Sequence, residues 1–155
     1  MANRMTKIEI AWTLAVVVLL TGVAVWSTFV LYNVDALPTP NEYVTVFAAQ
    51  WSWSFRYSNG TNITPNYNAA TDTSSGGGLW VQPGSIVQLN ITSLDVDHSL
   101  YIPGLGVQMN AIPGRWNYVS FQIPTGASPG TQYIIECTEF CGTGHGTMRA
   151  FVVVV

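Results

Sequence analysis

Residues able to bind a soft metal ion are concentrated in one short stretch near the end of the sequence. This stretch reads CTEFCGTGHGTM and contains Cys137, Cys141, His145 and Met148 at spacings of four, four and three. The second histidine, His98, lies upstream in the segment LDVDHSLYIPG. Both cysteines and both histidines of the chain therefore belong to one candidate cluster.

The ligand types in this cluster favour copper. Thiolate, imidazole and thioether groups select copper or zinc over calcium and magnesium. In a zinc site Met148 would have no role, and a mononuclear blue-copper site uses only one cysteine. Two thiolates on one short loop, each able to bridge, could instead hold two copper ions close together. His98 and His145 would then each complete the coordination of one of the two ions.

Such a centre would carry single electrons and would catalyse no bond chemistry itself. An electron shared by two metals through soft sulfurs changes each metal–ligand bond little, and a full set of protein ligands leaves no open position for a substrate. The structural alternatives are a disulfide between Cys137 and Cys141, a hydrogen-bonded His98 and a Met148 that only packs. The alternating glycines of the stretch, which free the backbone to turn between ligands, favour the metal site.

An apolar segment precedes these residues. Residues 10–32 read IAWTLAVVVLLTGVAVWSTFVLY, and as a helix they would be about 34 Å long, enough for a hydrocarbon core of about 30 Å. A cleaved signal peptide is the alternative, but its apolar region would be shorter and followed by a cleavage site. We therefore predict a retained transmembrane helix at 10–32.

The charges on either side of this segment predict its orientation. Arg4 and Lys7 precede it, whereas Asp35 and Glu42 follow it. By the positive-inside rule, residues 1–9 would be cytoplasmic. The rest of the chain would lie on the outer, periplasmic or extracellular, face of the cell membrane.

The remainder of the chain is predicted to be all-β. A proline-containing linker at 33–41 leads into a domain at 42–155, in which residues 59–78 form a long polar surface loop. Many short strands separated by Pro-Gly turns favour a Greek-key barrel or sandwich. The candidate strands, rich in β-branched and aromatic residues, are 42–57, 79–81, 85–92, 117–123, 132–137 and 149–155.

The composition excludes two other classes of protein. Charged residues make up 8% of the chain, the net charge is −3, and the five basic residues are scattered, so no basic patch for nucleic acid exists. Aromatic residues make up 12% of the chain, which argues against disorder.

The metal-binding stretch resembles the dinuclear copper A loop of cytochrome c oxidase subunit II, whose pattern is Cys-x-Glu-x-Cys-x3-His-x2-Met. Glu139 occupies the acidic position of that pattern. The segment 95–117 is similar to the region around the family's first ligand, and the QWSW segment at 50–53 is similar to its aromatic box. The resemblance covers nearly the whole chain. It implies a cupredoxin-like Greek-key domain. The best-known members of the family have two transmembrane helices, whereas this sequence shows one N-terminal helix, as single-helix versions of the family do.

The resemblance also implies a ligand set for two copper ions. Cys137 and Cys141 would bridge both ions. His98 and Met148 would complete the coordination of one ion. His145 and the main-chain carbonyl of Glu139 would complete the coordination of the other.

Two further roles follow from the same resemblance. The carboxylate of Glu139 would bind a magnesium ion at the boundary with subunit I, and electrons would enter at Trp51. Arg56 stands where mitochondrial relatives have an acidic residue near the aromatic box, so either cytochrome c or a blue-copper protein fits as the electron donor.

The implied function is that of the electron-transfer subunit of a haem–copper terminal oxidase, a proton-translocating oxidoreductase of the respiratory chain. Electrons would pass from the external donor through the copper centre to haem in subunit I, which reduces oxygen; this chain would not reduce oxygen itself. The alternatives are an electron-accepting subunit of a related nitric oxide reductase and a stand-alone membrane-anchored copper carrier. Quinol oxidase subunit II would share the fold but lack the copper ligands.

Overall fold

The first of two structural units is a long helix, α1 (Ala2–Asp35). The structure is a computed structural model that describes residues 2–35 and 38–155. Helix α1 extends beyond the apolar segment 10–32 at both ends, since the polar residues before and after this segment are also helical. Of the predicted linker 33–41, residues 36 and 37 lie outside the described part of the chain.

Helix α1 is long and apolar enough to cross a membrane. The candidate span, Thr6–Asn33, has 28 residues, and its most apolar 18-residue stretch has a mean hydropathy of 2.4. Its length is about 42 Å at about 1.5 Å per residue. The hydroxyl groups of Thr13, Thr21 and Thr28 each donate to the carbonyl four residues earlier, at 2.7–2.9 Å. These polar side chains are therefore satisfied within the helix, as a lipid environment requires.

The second unit, residues 38–155, is built from β-strands. The strands are β1 (Glu42–Ala49), β2 (Ser52–Tyr57), β3 (Asn62–Ile63), β4 (Asn66–Asn68), β5 (Thr73–Ser75), β6 (Leu79–Val81), β7 (Ile86–Ser93), β8 (His98–Ile102), β9 (Val107–Ala111), β10 (Asn117–Gln122), β11 (Gln132–Cys137) and β12 (Arg149–Val154). One five-stranded sheet has the order β10-β7-β1-β2-β3, another has the order β6-β12-β11-β8-β9, and β4 and β5 form a separate hairpin.

Alternate residues of both five-stranded sheets point into a shared apolar core. This alternation is the period-two pattern of strands with one face buried. Because the core is rich in β-branched and aromatic side chains, it favours the strand conformation over a helix. The largest fully buried core side chains are Trp53, Phe55, Leu79, Leu89, Ile91, Leu100, Ile102, Ile123, Ile135 and Met148.

The all-β prediction is confirmed, and three details differ from the predicted strands. The segment 42–57 is a hairpin that turns at Gln50 and Trp51, so it forms two strands. Strands β8 and β9 were not predicted, because Pro103 and Gly104 between them suggested only a turn. The predicted loop 59–78 contains β3, β4 and β5, whose polar residues carry no apolar alternation.

Tyr57 joins the two sheets. Its Oη on β2 accepts a hydrogen bond from the backbone N–H of Trp80 on β6 at 2.6 Å and donates one to the Trp80 carbonyl at 3.2 Å. Burial raises the pKa of Tyr57 from 10.0 to about 12. The neutral hydroxyl is therefore the form that the folded chain stabilises.

Replacing this hydroxyl should weaken the contact between the sheets. We expect Tyr57→Phe to lower the free energy of unfolding by about 1–3 kcal/mol, because two backbone groups of Trp80 lose their partner. The stability of the parent chain should also fall between pH 10 and about 12, as the unfolded tyrosine ionises first; the variant should show less of this fall. Urea unfolding in detergent measures both effects. Tyr118→Phe, at an exposed tyrosine, is the control, and equal stability of the two variants would contradict the prediction.

Candidate metal centre

The pairing of β8 with β11 brings His98 to the cysteine loop. Cys137 lies opposite Leu100 in this ladder, and the N–H of Thr138 donates to the carbonyl of Ser99 at 2.9 Å. His98 is completely buried. Its Nδ1 lies 3.8 Å from Cys137 Sγ. The upstream histidine that the sequence singled out therefore does meet the downstream loop.

The loop between β11 and β12 carries the other candidate ligands. The Sγ atoms of Cys137 and Cys141 are 3.9 Å apart, and both residues are free thiols. Cys141 Sγ lies 3.5 Å from His145 Nδ1 and 3.9 Å from Met148 Sδ. The main-chain oxygen of Glu139 lies 3.2 Å from Cys137 Sγ, while the Glu139 side chain is exposed.

These distances suit donor atoms that share metal ions. Metal–sulfur bonds of about 2.3 Å and metal–nitrogen bonds of about 2.0–2.1 Å allow two donors on one ion to be no more than about 4.6 Å apart. Every donor-to-donor distance given above satisfies that limit. The ligand atoms of His98, Cys137 and Cys141 all lie within 4.8 Å of one another, whereas His145 lies outside this group.

The metal-free Cys141 is held in an environment that disfavours its thiolate form. Burial, with the nearby sulfur of Cys137 adding to it, raises the pKa of the Cys141 thiol to about 12. Below that pH the thiol keeps its proton. A metal ion that binds Cys141 at neutral pH must therefore displace this proton, so metal uptake and proton release are coupled.

Asp95 fixes the orientation of His98, a role that was not predicted from the sequence. His98 Nε2 donates to Asp95 Oδ1 at 2.9 Å, which directs Nδ1 towards Cys137. Backbone N–H groups of Gln50 and Val96 also donate to the carboxylate, both at 2.7 Å. Partial burial acts to raise the pKa of Asp95, but these hydrogen bonds outweigh it and the pKa lies below its usual value. An aspartate three residues before a histidine is too common a pattern to indicate this role.

Trp51 lies against the cysteine loop and is 39% exposed. Its indole Nε1 donates to the carbonyl of Cys141 at 3.1 Å, and the side-chain amide of Gln50 donates to the same oxygen at 2.7 Å. A Cβ atom on Gly144 would lie 2.3 Å from Trp51 Cδ2. The glycine therefore lets the indole approach the loop, and Trp51 links the surface to the backbone of a candidate ligand.

Residues 43–155 match the family described as cytochrome c oxidase subunit II, periplasmic domain. The chain belongs to the cytochrome c oxidase subunit II family. Cytochrome c oxidase subunit 2 of Periplaneta americana is 36% identical over 151 residues, a region that covers 91% of this chain. The chain spans 64% of the length of that relative.

Solved structures of subunit II share the fold. The periplasmic domain of subunit II of the Bradyrhizobium japonicum cytochrome oxidase superposes with a TM-score of 0.68 at 24% identity, covering 76% of this chain and 86% of that domain. A chain of a heme-copper terminal oxidase dimer, solved by cryo-electron microscopy, gives a TM-score of 0.61 at 24% identity and covers 95% of this chain and 98% of its own length. The predicted cupredoxin-like fold is thereby confirmed.

The close approach of Trp51 to the loop predicts different effects for two neighbouring glycines. Gly144→Ala should lower the free energy of unfolding by about 1–3 kcal/mol, because the new methyl group would displace the indole ring. Gly146→Ala should change it by less than about 0.5 kcal/mol, since a Cβ there meets no atom of residues 2–35 and 38–155 within 4 Å. Urea unfolding gives the two free energies, and the indole N–H resonance of Trp51 reports the ring displacement. Equal effects of the two substitutions would show that the ring does not press on Gly144.

Proposed function

We propose that this chain is the electron-transfer subunit of a haem–copper terminal oxidase and that it binds a dinuclear copper centre. The observation that carries the proposal is the contact of each histidine with a different cysteine of one close pair, His98 with Cys137 and His145 with Cys141. Two ions bridged by both sulfurs would use every one of these donors. The membership of the subunit II family supports the same assignment.

The ligand assignment is the one that the resemblance to the copper A loop implies. Cys137 and Cys141 would bridge both ions, His98 and Met148 would complete the coordination of one ion, and His145 with the main-chain oxygen of Glu139 would complete that of the other. The four non-bridging donors each lie within 3.9 Å of one of the two sulfurs, which supports this set. When bound, the copper pair supplies a site that stores and releases one electron.

The protein residues hold the donor atoms of this site in a fixed arrangement. The sulfur and imidazole donors lie on loop and strand segments that are anchored by backbone hydrogen bonds, including that from the N–H of Cys137 to the Met148 carbonyl at 3.2 Å. Asp95 fixes His98, and Met148 is completely buried. Ligands that cannot move keep the reorganisation energy of electron transfer low.

Trp51 is the residue at which electrons enter in this proposal. Its ring is partly exposed and donates a hydrogen bond directly to the carbonyl of the ligand Cys141. A soluble donor, cytochrome c or a blue-copper protein, would contact this ring. Haem in subunit I would then accept the electron, and oxygen reduction would take place in that subunit.

Two further features belong to the proposal. The exposed carboxylate of Glu139 contributes to a magnesium site at the boundary with subunit I. Helix α1 crosses the cell membrane once, with the N-terminus in the cytoplasm and the copper domain on the outer face, because Lys7 precedes the apolar segment while Asp35 and Glu42 follow it.

Copper counting with electron paramagnetic resonance tests the centre. We expect two copper ions per chain that share one unpaired electron, seen as a seven-line hyperfine pattern, and we expect Cys141→Ser to abolish that pattern because one bridge is lost. One copper with a four-line pattern would indicate a mononuclear carrier. A chain that binds no copper when the metal is supplied would exclude the proposed centre.

Replacing Trp51 tests the electron path. Trp51→Phe should slow reduction of the copper centre by a soluble donor severalfold, because the hydrogen bond to Cys141 is lost, while the copper spectrum stays unchanged. Stopped-flow absorbance measures the rate. Trp80→Phe, at another exposed tryptophan, is the matched control. Identical rates for both variants and the parent chain would show that electrons enter elsewhere.

A further inference from the structure

The hairpin formed by β4 and β5 holds one arginine next to the metal loop. Arg149, the first residue of β12, donates from Nη1 to Tyr67 Oη at 3.2 Å. Tyr67 in turn donates to Asp72 Oδ1 at 2.6 Å. The guanidinium carbon lies 5.7 Å from the centre of the Tyr67 ring, and that ring packs against Phe151 at 6.4 Å between ring centres. Hydrogen bonding and ring packing therefore fix the arginine from the hairpin side.

On its other side Arg149 pairs with Glu136. The two residues are directly opposite in the ladder between β11 and β12, and Arg149 Nη2 lies 3.2 Å from Glu136 Oε1. Both side chains are about two-thirds covered, at 35% and 30% exposure. Glu136 precedes Cys137 and Arg149 follows Met148, so the pair lies at the point where the metal loop leaves the sheet.

A small cavity opens beside this pair. It has a volume of about 150 Å³ and is lined by Glu136, Cys137, His145, Gly146, Met148 and Arg149. At about 30 Å³ for each water molecule, it has room for about five of them. The cavity can therefore admit an ion or a small molecule but not a loop of another protein.

The cavity reaches residues that are otherwise well covered. Cys137 is 8% exposed and Met148 is completely buried, while Trp51 covers the loop at Gly144. Two charged residues line the cavity, Arg149 and Glu136, and they pair with each other. Their charges cancel, so the lining repels neither a copper ion nor a neutral thiol reagent.

We propose that this cavity is the route by which copper ions and small thiol reagents reach Cys137, the cysteine that lines it, and that Arg149, held by Tyr67 and Asp72, keeps the route narrow. Arg149 acts here as a positioning residue, because it controls access without being a ligand. The part of the inference that concerns copper rests on the proposed function. The part that concerns access to the thiols does not.

Alkylation of the metal-free chain tests access directly. The full chain in detergent is reduced, freed of metal and treated with iodoacetamide, and mass spectrometry follows modification of Cys137 and Cys141. We expect Tyr67→Phe and Arg149→Gln to raise the alkylation rate on the order of tenfold, since each removes a hydrogen bond to or from a charged group. Tyr118→Phe and Arg56→Gln are the matched controls and should react at the parent rate. Parent rates in both hairpin variants would overturn the proposal.

Copper release provides the second measurement. The copper-loaded chain is mixed with ascorbate and excess bathocuproine disulfonate, and loss of copper should accelerate in the same two variants by a similar factor. If the chain takes up no copper, the proposed function fails while alkylation still decides the access route. Urea unfolding of every variant separates local opening from global destabilisation. An acceleration no larger than the increase in the globally unfolded fraction would overturn the proposal.

Discussion

Two residue pairs hold β8 against β11, Glu136 with Tyr101 and Cys137 with Leu100, and the geometry of the candidate centre depends on that short ladder. The ladder joins the segment that carries His98 to the start of the metal loop. A slip by one residue would turn alternate side chains to the opposite face of the sheet and remove His98 from Cys137. Leu100 and Ile135, both completely buried, make such a slip costly because each would leave the core.

The tip of the hairpin between β1 and β2 stabilises both parts of the centre at once. The backbone N–H of Gln50 holds Asp95, which orients His98, while the side chains of Gln50 and Trp51 hold the carbonyl of Cys141. The upstream histidine and the downstream loop are thus fixed to one turn. Metal ligands arranged in this way are preorganised. A metal ion can therefore bind, or an electron can be transferred, with little movement of the protein.

The hairpin formed by β4 and β5 contrasts with this rigid arrangement. It forms its own two-stranded ladder outside both five-stranded sheets. Its exposed residues bury little apolar surface. Tyr67 contacts Phe151 and Arg149 of β12, and Asp72 pairs with Arg149. Elements with few buried apolar contacts open at low free-energy cost. An arginine held from such an element can therefore move more readily than the ligands beside it.

The sequence by itself determined the residue types of the centre, the all-β class and the apolar helix. The loop from Cys137 to Met148 is continuous, so its spacing is visible in the chain, and apolar periodicity marked most of the strands in the core. The sequence did not reveal Asp95 as the partner of His98. Nor did it reveal the contacts of Gln50 and Trp51 with Cys141. The pairing of Glu136 with Arg149 beside Tyr67 was also not visible in it. Strands β8 and β9, and the polar strands β4 and β5, also lacked a recognisable pattern. Only the tertiary structure decided these features, because each depends on strand register and on side chains brought together from distant segments, neither of which local spacing encodes.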